Sequence, residues 1–356
     1  MASSEASYQP VLRIIDASLN RISEGLRVLE DIARLLLNDR FLTEQLKNMR
    51  HDLLRSDSSF QQRLLQARDS KSDVGVDIEV AGDKKEREIP GILVANARRV
   101  QESLRSMEEL SKIPDCIPYL DSEKFKKARF DLYSIEQALL SRLLRKDKTQ
   151  RISGLYAIID TDSLKGRSHV EAAAPAIMGG AKIIQLRDKL LSKKELLPIA
   201  RQMRELCSKH NVLFIINDHL DLALAADADG LHLGQDDLPV KVARKLLPID
   251  KLIGCSAATV EQAVAAESDG ADYVAVASIY PTSSKEMAEV VGLDRLRQIK
   301  KAVSLPLVAI GGINKDNAQE VIAAGAVSIA VISAILQANN IQEAARQILD
   351  KIEKQP

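Results

Sequence analysis

Two kinds of hydrophobic pattern divide the chain near residue 150. Before it, apolar residues recur at helical spacing, and after it, short β-branched runs alternate with helical segments. The helical stripe in IIDASLNRISEGLRVLEDIARLLL comprises Ile15, Leu19, Ile22, Leu26, Leu29 and Leu36. A second stripe comprises Leu93, Ala97, Val100, Leu104 and Met107. The pattern predicts an all-α domain over residues 1–150 and an α/β domain over residues 151–356.

The helical half contains an internal repeat. DASLNRISEGLRVLED, residues 16–31, aligns with VANARRVQESLRSMEE, residues 94–109, and LKNMRHDL aligns with FKKARFDL farther along. We infer a duplication in which each copy is a pair of helices, over about 11–69 and 90–148. Two such hairpins predict a helical bundle, and the polar, glycine-bearing segment between them predicts a loop.

Charged residues of the first repeat lie roughly opposite its apolar stripe. They are Arg21, Glu24, Arg27 and Asp31. Such a face is typical of solvated ion pairs, each contributing about 0.3–0.5 kcal/mol. An anion site or a partner surface where the two copies meet is the alternative, and the sequence leaves both open.

The second half predicts eight strands separated by helices. The strands are LYAIID, AKIIQLR, VLFIIND, GLHLG, KLIGCSA, YVAVASI, LPLVAIGG and VSIAVIS. The helical segments are Lys193–Lys209, Val260–Glu267, Leu293–Ala302, Asn314–Ala324 and a last helix from near Ile341. This alternation predicts a (β/α)8 TIM barrel. An open doubly wound sheet is the alternative, but no glycine-rich turn follows the first strand.

Polar residues at the carboxyl ends of the strands are candidate site residues, because barrel enzymes place their sites there. The second strand ends in QLRDK, in which Gln185, Arg187 and Lys189 share one face. Inward-facing polar groups are costly without a partner. The pattern favours a polar or anionic ligand over a surface turn.

Two aspartates follow neighbouring strands. Asp218 ends the third strand, and Asp237 follows the fourth, in GLHLGQDDLPV. Converging carboxylates repel unless a cation lies between them, and oxygen ligands without His or Cys favour Mg²⁺. Asp237 could also cap the helix beginning near Pro239. Asp236 is predicted as a turn or outer residue, and His232 as a packed strand residue rather than a ligand.

The later strands end in candidate phosphate-binding segments. YPTSSK combines hydroxyls, backbone N–H groups and a lysine, and AIGGI offers Gly311 and Gly312. Loops after the seventh and eighth strands are the usual phosphate site of a barrel. Ser256 ends the fifth strand, and Thr259 is predicted to cap the next helix. The strand ends together suggest a diphosphate and a monophosphate joined with loss of pyrophosphate.

Composition excludes several other functions. Lys+Arg and Asp+Glu are both 50, which argues against nucleic acid or an anionic membrane as partner. Tryptophan is absent and aromatics are 3%, so base stacking is not expected. The three cysteines lack metal-ligand spacing and fit a reducing compartment. MASSEASYQP lacks signal-peptide features, and no run has the roughly 20 apolar residues of a membrane span. We expect a cytoplasmic protein.

These motifs, in this order, resemble the thiamine-phosphate synthase family. They are QLRDK, ND, GQDD, GCS, PTSSK, AIGGI and VS, and the resemblance covers Leu155 to Leu349. Ala277 and Ser278 depart from the Gly-Pro that is frequent in the family, and Ser284 stands where Thr is common. The helical half looks like the extension of cyanobacterial-type synthases, for which the resemblance supplies no role.

The resemblance implies a reaction and its residues. The family joins a hydroxymethylpyrimidine diphosphate to a hydroxyethylthiazole phosphate, or its carboxylated form, giving thiamine phosphate and pyrophosphate. The implied pyrimidine diphosphate site comprises Gln185, Leu186, Arg187, Asp188, Lys189, Asn217, Ser256 and Lys285. The implied thiazole phosphate site comprises Thr282, Ser283, Ser284, Gly312, Ile332 and Ser333.

By the same resemblance, Asp218 and Asp237 hold Mg²⁺, and Lys189, Ser256 and Lys285 are the catalytic groups. A thiazole tautomerase is the alternative reaction; it needs a proton-transfer residue and no diphosphate site. A regulatory or assembly role for the helical half is a hypothesis of another class. The oligomeric state stays open, a homo-oligomer included.

Overall fold

The computed structural model describes residues 2–55, 57–69, 88–282 and 290–353. The chain divides into two compact units, residues 1–144 and 145–356. The division lies close to the change of hydrophobic pattern near residue 150. We call the two parts the helical unit and the barrel unit.

The helical unit is built from long amphipathic helices. They are α1 (Ala2–Asp31), α2 (Arg40–Leu54), α3 (Ser58–Ala67), α4 (Ile89–Leu110) and α5 (Ser122–Gln150), the last of which continues into the barrel unit. All five residues of the second predicted stripe are fully buried, as are Ile15, Ile22, Leu26 and Leu29 of the first. A Cβ on Gly25 would lie 2.4 Å from Val100 Cγ2, so this glycine allows α1 and α4 to pack closely.

Leu36 is exposed, contrary to the predicted stripe, because the helix changes its hydrogen-bonding pattern. Residues Ile32–Leu36 form a π-helical turn, in which Leu37 N donates to Ile32 O at 3.1 Å. The extra residue in this turn rotates the following positions around the axis. Ile32 and Ala33 are therefore buried, whereas Leu36 is 37% exposed.

The first repeat has one helix more than the predicted pair. The segment that aligns with the single helix α5 is interrupted between α2 and α3, where Asp57 accepts a hydrogen bond from Ser59 N and caps α3.

An equivalent ion pair is present in both repeats. Glu30 pairs with Arg50 at 3.0 Å, and the aligned Glu108 pairs with Arg129 at 2.9 Å.

The barrel unit contains eight parallel strands closed in chain order, so the predicted TIM barrel is confirmed. The strands are β1 (Gly154–Asp160), β2 (Ile183–Arg187), β3 (Leu213–Asn217), β4 (Gly230–Leu233), β5 (Leu252–Ala257), β6 (Tyr273–Val276), β7 (Leu307–Ile310) and β8 (Ser328–Val331). The β8 strand pairs with β1, with Gly154 opposite Ser328. Closure places all eight carboxyl ends around one opening.

The helices of the barrel unit follow the strands. They are α6 (His169–Met178), α7 (Lys193–Lys209), α8 (Leu220–Ala225), α9 (Val240–Leu246), α10 (Val260–Ser268), α11 (Gly292–Ala302), α12 (Ala318–Ala323), α13 (Ser333–Leu336) and α14 (Ile341–Glu353). Apolar residues between strands and helices form the main core, and a smaller cluster that includes Tyr156, Ile215 and Tyr273 fills the barrel.

Helix boundaries follow local capping. Thr259 caps α10 as predicted, in a capping box with Gln262. The helix predicted from Asn314 begins instead at Ala318. Asn314 N donates to Asn317 Oδ1 at 2.8 Å, so side chain-to-backbone bonds hold this segment as a turn before α12 begins.

Candidate active site

A cavity of about 680 Å³ opens at the carboxyl ends of the strands. Each of the eight strands, or the loop that follows it, contributes residues to its wall. Of the predicted site residues, those that line it are Gln185, Arg187, Lys189, Asn217, Asp218, Asp237, Ser256, Thr282, Gly312, Ile332 and Ser333. Ser283, Ser284 and Lys285 lie outside the described residues.

Leu186 and Asp188 belong to the predicted pyrimidine site, but their side chains lie away from the cavity. Strand alternation turns Leu186 into the core between strands and helices. The Asp188 carboxylate accepts bonds from Leu190 N at 2.8 Å and Leu191 N at 2.7 Å, and from Thr161 Oγ1. Asp188 therefore shapes the loop that carries Lys189.

The cations of β2 are paired with carboxylates at the cavity wall. Arg187 forms an ion pair with Asp160 of β1, and Lys189 forms one with Asp218. The Arg187 side chain is 26% exposed and that of Lys189 is 48% exposed. Both cations are therefore available to an anionic ligand at the mouth of the barrel.

The two predicted metal ligands are neighbours. Burial and then a hydrogen bond with the Asp218 carboxyl raise the pKa of Asp237 above its ordinary value. Asp237 Oδ2 also accepts from Gly234 N at 2.7 Å. Asp237 does not cap α9, contrary to one expectation, since α9 begins at Val240 without a side-chain cap.

This donor set fits a hard cation. Its ligands are carboxylate oxygens, and within the described ranges no three His, Cys, Asp or Glu side chains converge on one point. Mg²⁺ usually keeps several waters and binds one or two carboxylates together with substrate phosphates. A bound cation would offset the burial and the neighbouring Asp218 carboxyl that raise the pKa of Asp237.

Glycines permit the close packing of the wall formed by β6, β7 and their loops. Gly311 has φ +104° and Gly312 has φ +64°. A Cβ on Gly311 would lie 1.9 Å from Ser278 Oγ, and one on Gly312 would lie 2.5 Å from Pro281 O. Ser278 Oγ also donates to Tyr280 O at 2.8 Å. Ser278, which departs from the residue frequent in the family, thus lies against the glycine pair.

Sequence reasoning missed two tyrosines, of which Tyr156 lines the cavity and Tyr273 is buried beneath it. Tyr156 OH lies 2.7 Å from Gln185 Nε2 and 3.0 Å from Tyr273 OH. His232 lies between Tyr273 OH, at 3.1 Å, and Ser256 Oγ, at 3.0 Å. His232 is a buried strand residue, as predicted, and it also borders the cavity. A signal was present, since each tyrosine is an inward-facing polar residue within an apolar strand.

Comparisons with known proteins concern both halves of the chain. A family model described as thiamine monophosphate synthase matches residues 155–335, and one described as the ThiD2 family matches residues 13–138. A thiamine-phosphate synthase from Synechocystis is 37% identical over 351 residues, covering 98% of each chain. One from Methanospirillum hungatei is 50% identical over 198 residues, covering 55% of this chain and 96% of its own.

A solved structure is similar to the barrel unit. Thiamine phosphate pyrophosphorylase from Pyrococcus furiosus is 40% identical, covers 58% of this chain and 98% of its own, and has a TM-score of 0.54. In the part of the chain that the structure describes, no helix is long and apolar enough to cross a membrane.

Proposed function

The chain belongs to the thiamine-phosphate synthase family, and we propose that its barrel joins a hydroxymethylpyrimidine diphosphate to a hydroxyethylthiazole phosphate. The products are thiamine phosphate and pyrophosphate. The carboxylated thiazole phosphate is a second acceptor of the same class. This assignment of substrates rests on the resemblance and on the chemistry of the cavity.

One observation carries the proposal. Two cations and two carboxylates meet at adjacent strand ends, as Arg187, Lys189, Asp218 and Asp237, in the same cavity as the glycine pair of β7. The charged side suits a diphosphate bound with a cation, and backbone close to Gly312 suits a single phosphate. A tautomerase would need only the second of these sites.

The reaction needs charge stabilisation rather than a protein nucleophile. The bond between the pyrimidine methylene carbon and the diphosphate oxygen breaks, and its electron pair leaves with pyrophosphate. The pyrimidine amino group stabilises the resulting cation. The thiazole nitrogen then supplies the electron pair of the new carbon–nitrogen bond.

The side chains of the cavity have separate roles in this scheme. Arg187 and Lys189 neutralise the charge that develops on the leaving group, and Ser256 donates a hydrogen bond to it. Gln185 and Asn217 orient the pyrimidine. Holding both substrates in line replaces a bimolecular encounter by a reaction within one complex.

The remaining predicted residues complete the scheme. Thr282, Gly312, Ile332 and Ser333 would hold the thiazole phosphate, and Lys285 is predicted to support the diphosphate. Asp218 and Asp237 are the residues that would hold Mg²⁺. When bound, the ion would supply positive charge beside the diphosphate.

Pyrophosphate release tests the proposed reaction. The purified chain, given both substrates and Mg²⁺, should release one pyrophosphate for each thiamine phosphate formed. Incubation with a thiazole phosphate alone tests the alternative. Isomerisation of that compound without pyrophosphate release from the pair would favour the tautomerase and contradict the proposal.

Three expectations remain predictions. The helical unit matches the ThiD2 family model, and an assembly or regulatory role for it is still a hypothesis. A homo-oligomer is the second of these predictions. A cytoplasmic location is expected from composition and from the N-terminal sequence.

A further inference from the structure

A continuous series of hydrogen bonds crosses the barrel interior at the floor of the cavity. It begins at Gln185, passes through Tyr156, Tyr273 and His232, and ends at Ser256, with links of 2.7, 3.0, 3.1 and 3.0 Å. We call these five residues the polar network. Gln185, Tyr156, His232 and Ser256 line the cavity, whereas Tyr273, in the middle, is fully buried beneath them.

The barrel makes specific room for the central tyrosine. Gly254 of β5 is paired in register with Tyr273 of β6. A Cβ at Gly254 would lie 2.0 Å from the Tyr273 ring atom Cζ, so only glycine admits the ring there. The rings of Tyr273 and His232 also stack, with centroids 5.6 Å apart. The polar network is therefore a fixed part of the interior.

The fixed number of protons in the network couples its two ends. Each hydroxyl and the neutral imidazole has one proton to donate, and each link holds one proton. A neutral imidazole donates from one ring nitrogen and accepts at the other, so His232 donates to one of its two hydroxyl partners and accepts from the other. Reversing one link therefore reverses the others, since an unmade bond between buried polar groups costs about 1–3 kcal/mol.

Two arrangements of donors and acceptors, which we call the first and the second order, satisfy every link. In the first, Ser256 donates into the cavity and accepts from His232 Nε2, while His232 Nδ1 accepts from Tyr273. Tyr156 then donates to Tyr273 and accepts from the amide nitrogen of Gln185. This leaves the Gln185 oxygen and the second amide hydrogen for the ligand. In the second order each donor becomes the acceptor of the same link, so Ser256 donates to His232 Nε2. Tyr156 donates to the Gln185 oxygen, and Gln185 presents only its amide nitrogen to the ligand.

We propose that Tyr156, Tyr273 and His232 are positioning residues that make recognition at Ser256 and at Gln185 depend on each other. A diphosphate only accepts hydrogen bonds, so its binding at Ser256 selects the first order. Gln185 then accepts from the pyrimidine. A ring with an amino group at that position finds its acceptor only in this order, whereas a ring with a carbonyl oxygen finds an amide hydrogen in either order. This inference rests on the proposed function and deepens it.

Calorimetry on the full-length chain tests the coupling. The probes are 4-amino-5-hydroxymethyl-2-methylpyrimidine and its 4-oxo counterpart, each with and without inorganic pyrophosphate and Mg²⁺. Pyrophosphate should tighten binding of the amino ring about tenfold more than binding of the oxo ring, since one hydrogen bond separates them. Equal tightening of both rings would overturn the proposal.

Tyr273→Phe removes the central link without touching either ligand. The selective effect of pyrophosphate should disappear, while the Kd for pyrophosphate alone stays within about twofold. Tyr119→Phe is the matched control, because Tyr119 lies in the helical unit and stacks on Phe60. Retention of amino-selective coupling in Tyr273→Phe would contradict the network.

A second measurement needs no variant. Nitrogen-15 NMR of the five histidines in the wild-type chain distinguishes a protonated from an unprotonated ring nitrogen. With pyrophosphate and Mg²⁺ bound, His232 should carry its proton on Nε2; a proton on Nδ1 overturns the proposal. Calorimetry measures affinity and NMR measures the tautomer of His232, and neither depends on turnover. Failure of the synthase reaction with intact coupling would therefore refute the proposed function and leave the polar network standing.

Discussion

At the scale of single residues, Asp237 combines a cost in stability with a proposed role in binding Mg²⁺. Its pKa is raised, so the folded state holds the ionised carboxylate at a cost. The stability that this raised pKa contributes is fully present below about pH 4, the ordinary pKa of an aspartate. It is lost as the pH rises through the raised pKa of Asp237. A residue kept at such a cost is expected to serve function.

Asp237→Asn should therefore separate stability from activity. Without metal near neutral pH, the variant should melt at a higher temperature than the wild type, because no charge is buried there and none opposes the carboxylate of Asp218. Turnover should fall by at least about a hundredfold, equivalent to roughly 3 kcal/mol at 1.4 kcal/mol per tenfold. Thermal denaturation and pyrophosphate release measure the two effects.

The neighbouring carboxylate provides the control. Asp236 is exposed in the turn before Asp237 and borders the same cavity, so it controls for the loss of a negative charge there. Asp236→Asn should leave both the melting temperature and the turnover close to wild type. If Mg²⁺ stabilises Asp237→Asn and the wild type equally, Asp237 is not a ligand of the ion.

Residue identity also explains how much of the site was predictable. Gln185, Arg187 and Lys189 could be found because strand alternation places them on one face. The bonds of Tyr156 with Tyr273 could not, since these residues are 117 positions apart and meet only when the barrel closes. The sequence contains the polar side chains, but their partners depend on the register around the barrel.

At the scale of elements, the loop from β2 to α7 depends on Asp188. Its buried carboxylate holds two backbone N–H groups and lies 3.5 Å from His169 Nε2. Asp188→Ala should lower the free energy of unfolding by about 1–3 kcal/mol, because these donors lose their acceptor. It should also raise KM for the pyrimidine diphosphate, since Lys189 loses its position.

Asp162 supplies a nearby comparison for that experiment. It is exposed in the short turn after β1. Asp162→Ala should change neither the unfolding free energy nor KM. Urea denaturation together with steady-state kinetics checks both variants, and an unchanged KM in Asp188→Ala would show that the loop keeps its shape without the carboxylate.

Elements with complete local signals were predicted well. The observed α7 spans Lys193–Lys209, as expected, because Ser192 and Glu195 form a capping box before an amphipathic run. The π-helical turn at Ile32–Leu36 was not predicted, since the residues there still follow a helical pattern. The start of α12 was missed because Asn314 and Asn317 favour a turn that competes with the helix.

At the scale of the whole molecule, the barrel unit begins inside α5. Arg145 pairs with Asp272 at 2.7 Å and donates to Ile249 O at 2.7 Å, both within this unit. Lys148 pairs with Asp250 at 3.2 Å. A barrel that begins at residue 151, the predicted boundary, would therefore lack these contacts.

Two truncated chains test this boundary. The fragment 145–356 should fold and release pyrophosphate, because every described residue that lines the cavity belongs to it. The fragment 151–356 should melt roughly 5 °C lower, since the lost contacts are worth about 1–2 kcal/mol at 2–4 °C per kcal/mol. Within 145–356, Asp147→Ala is the control and should leave the melting temperature unchanged. If 145–356 folds but forms no thiamine phosphate, the helical unit takes part in the reaction.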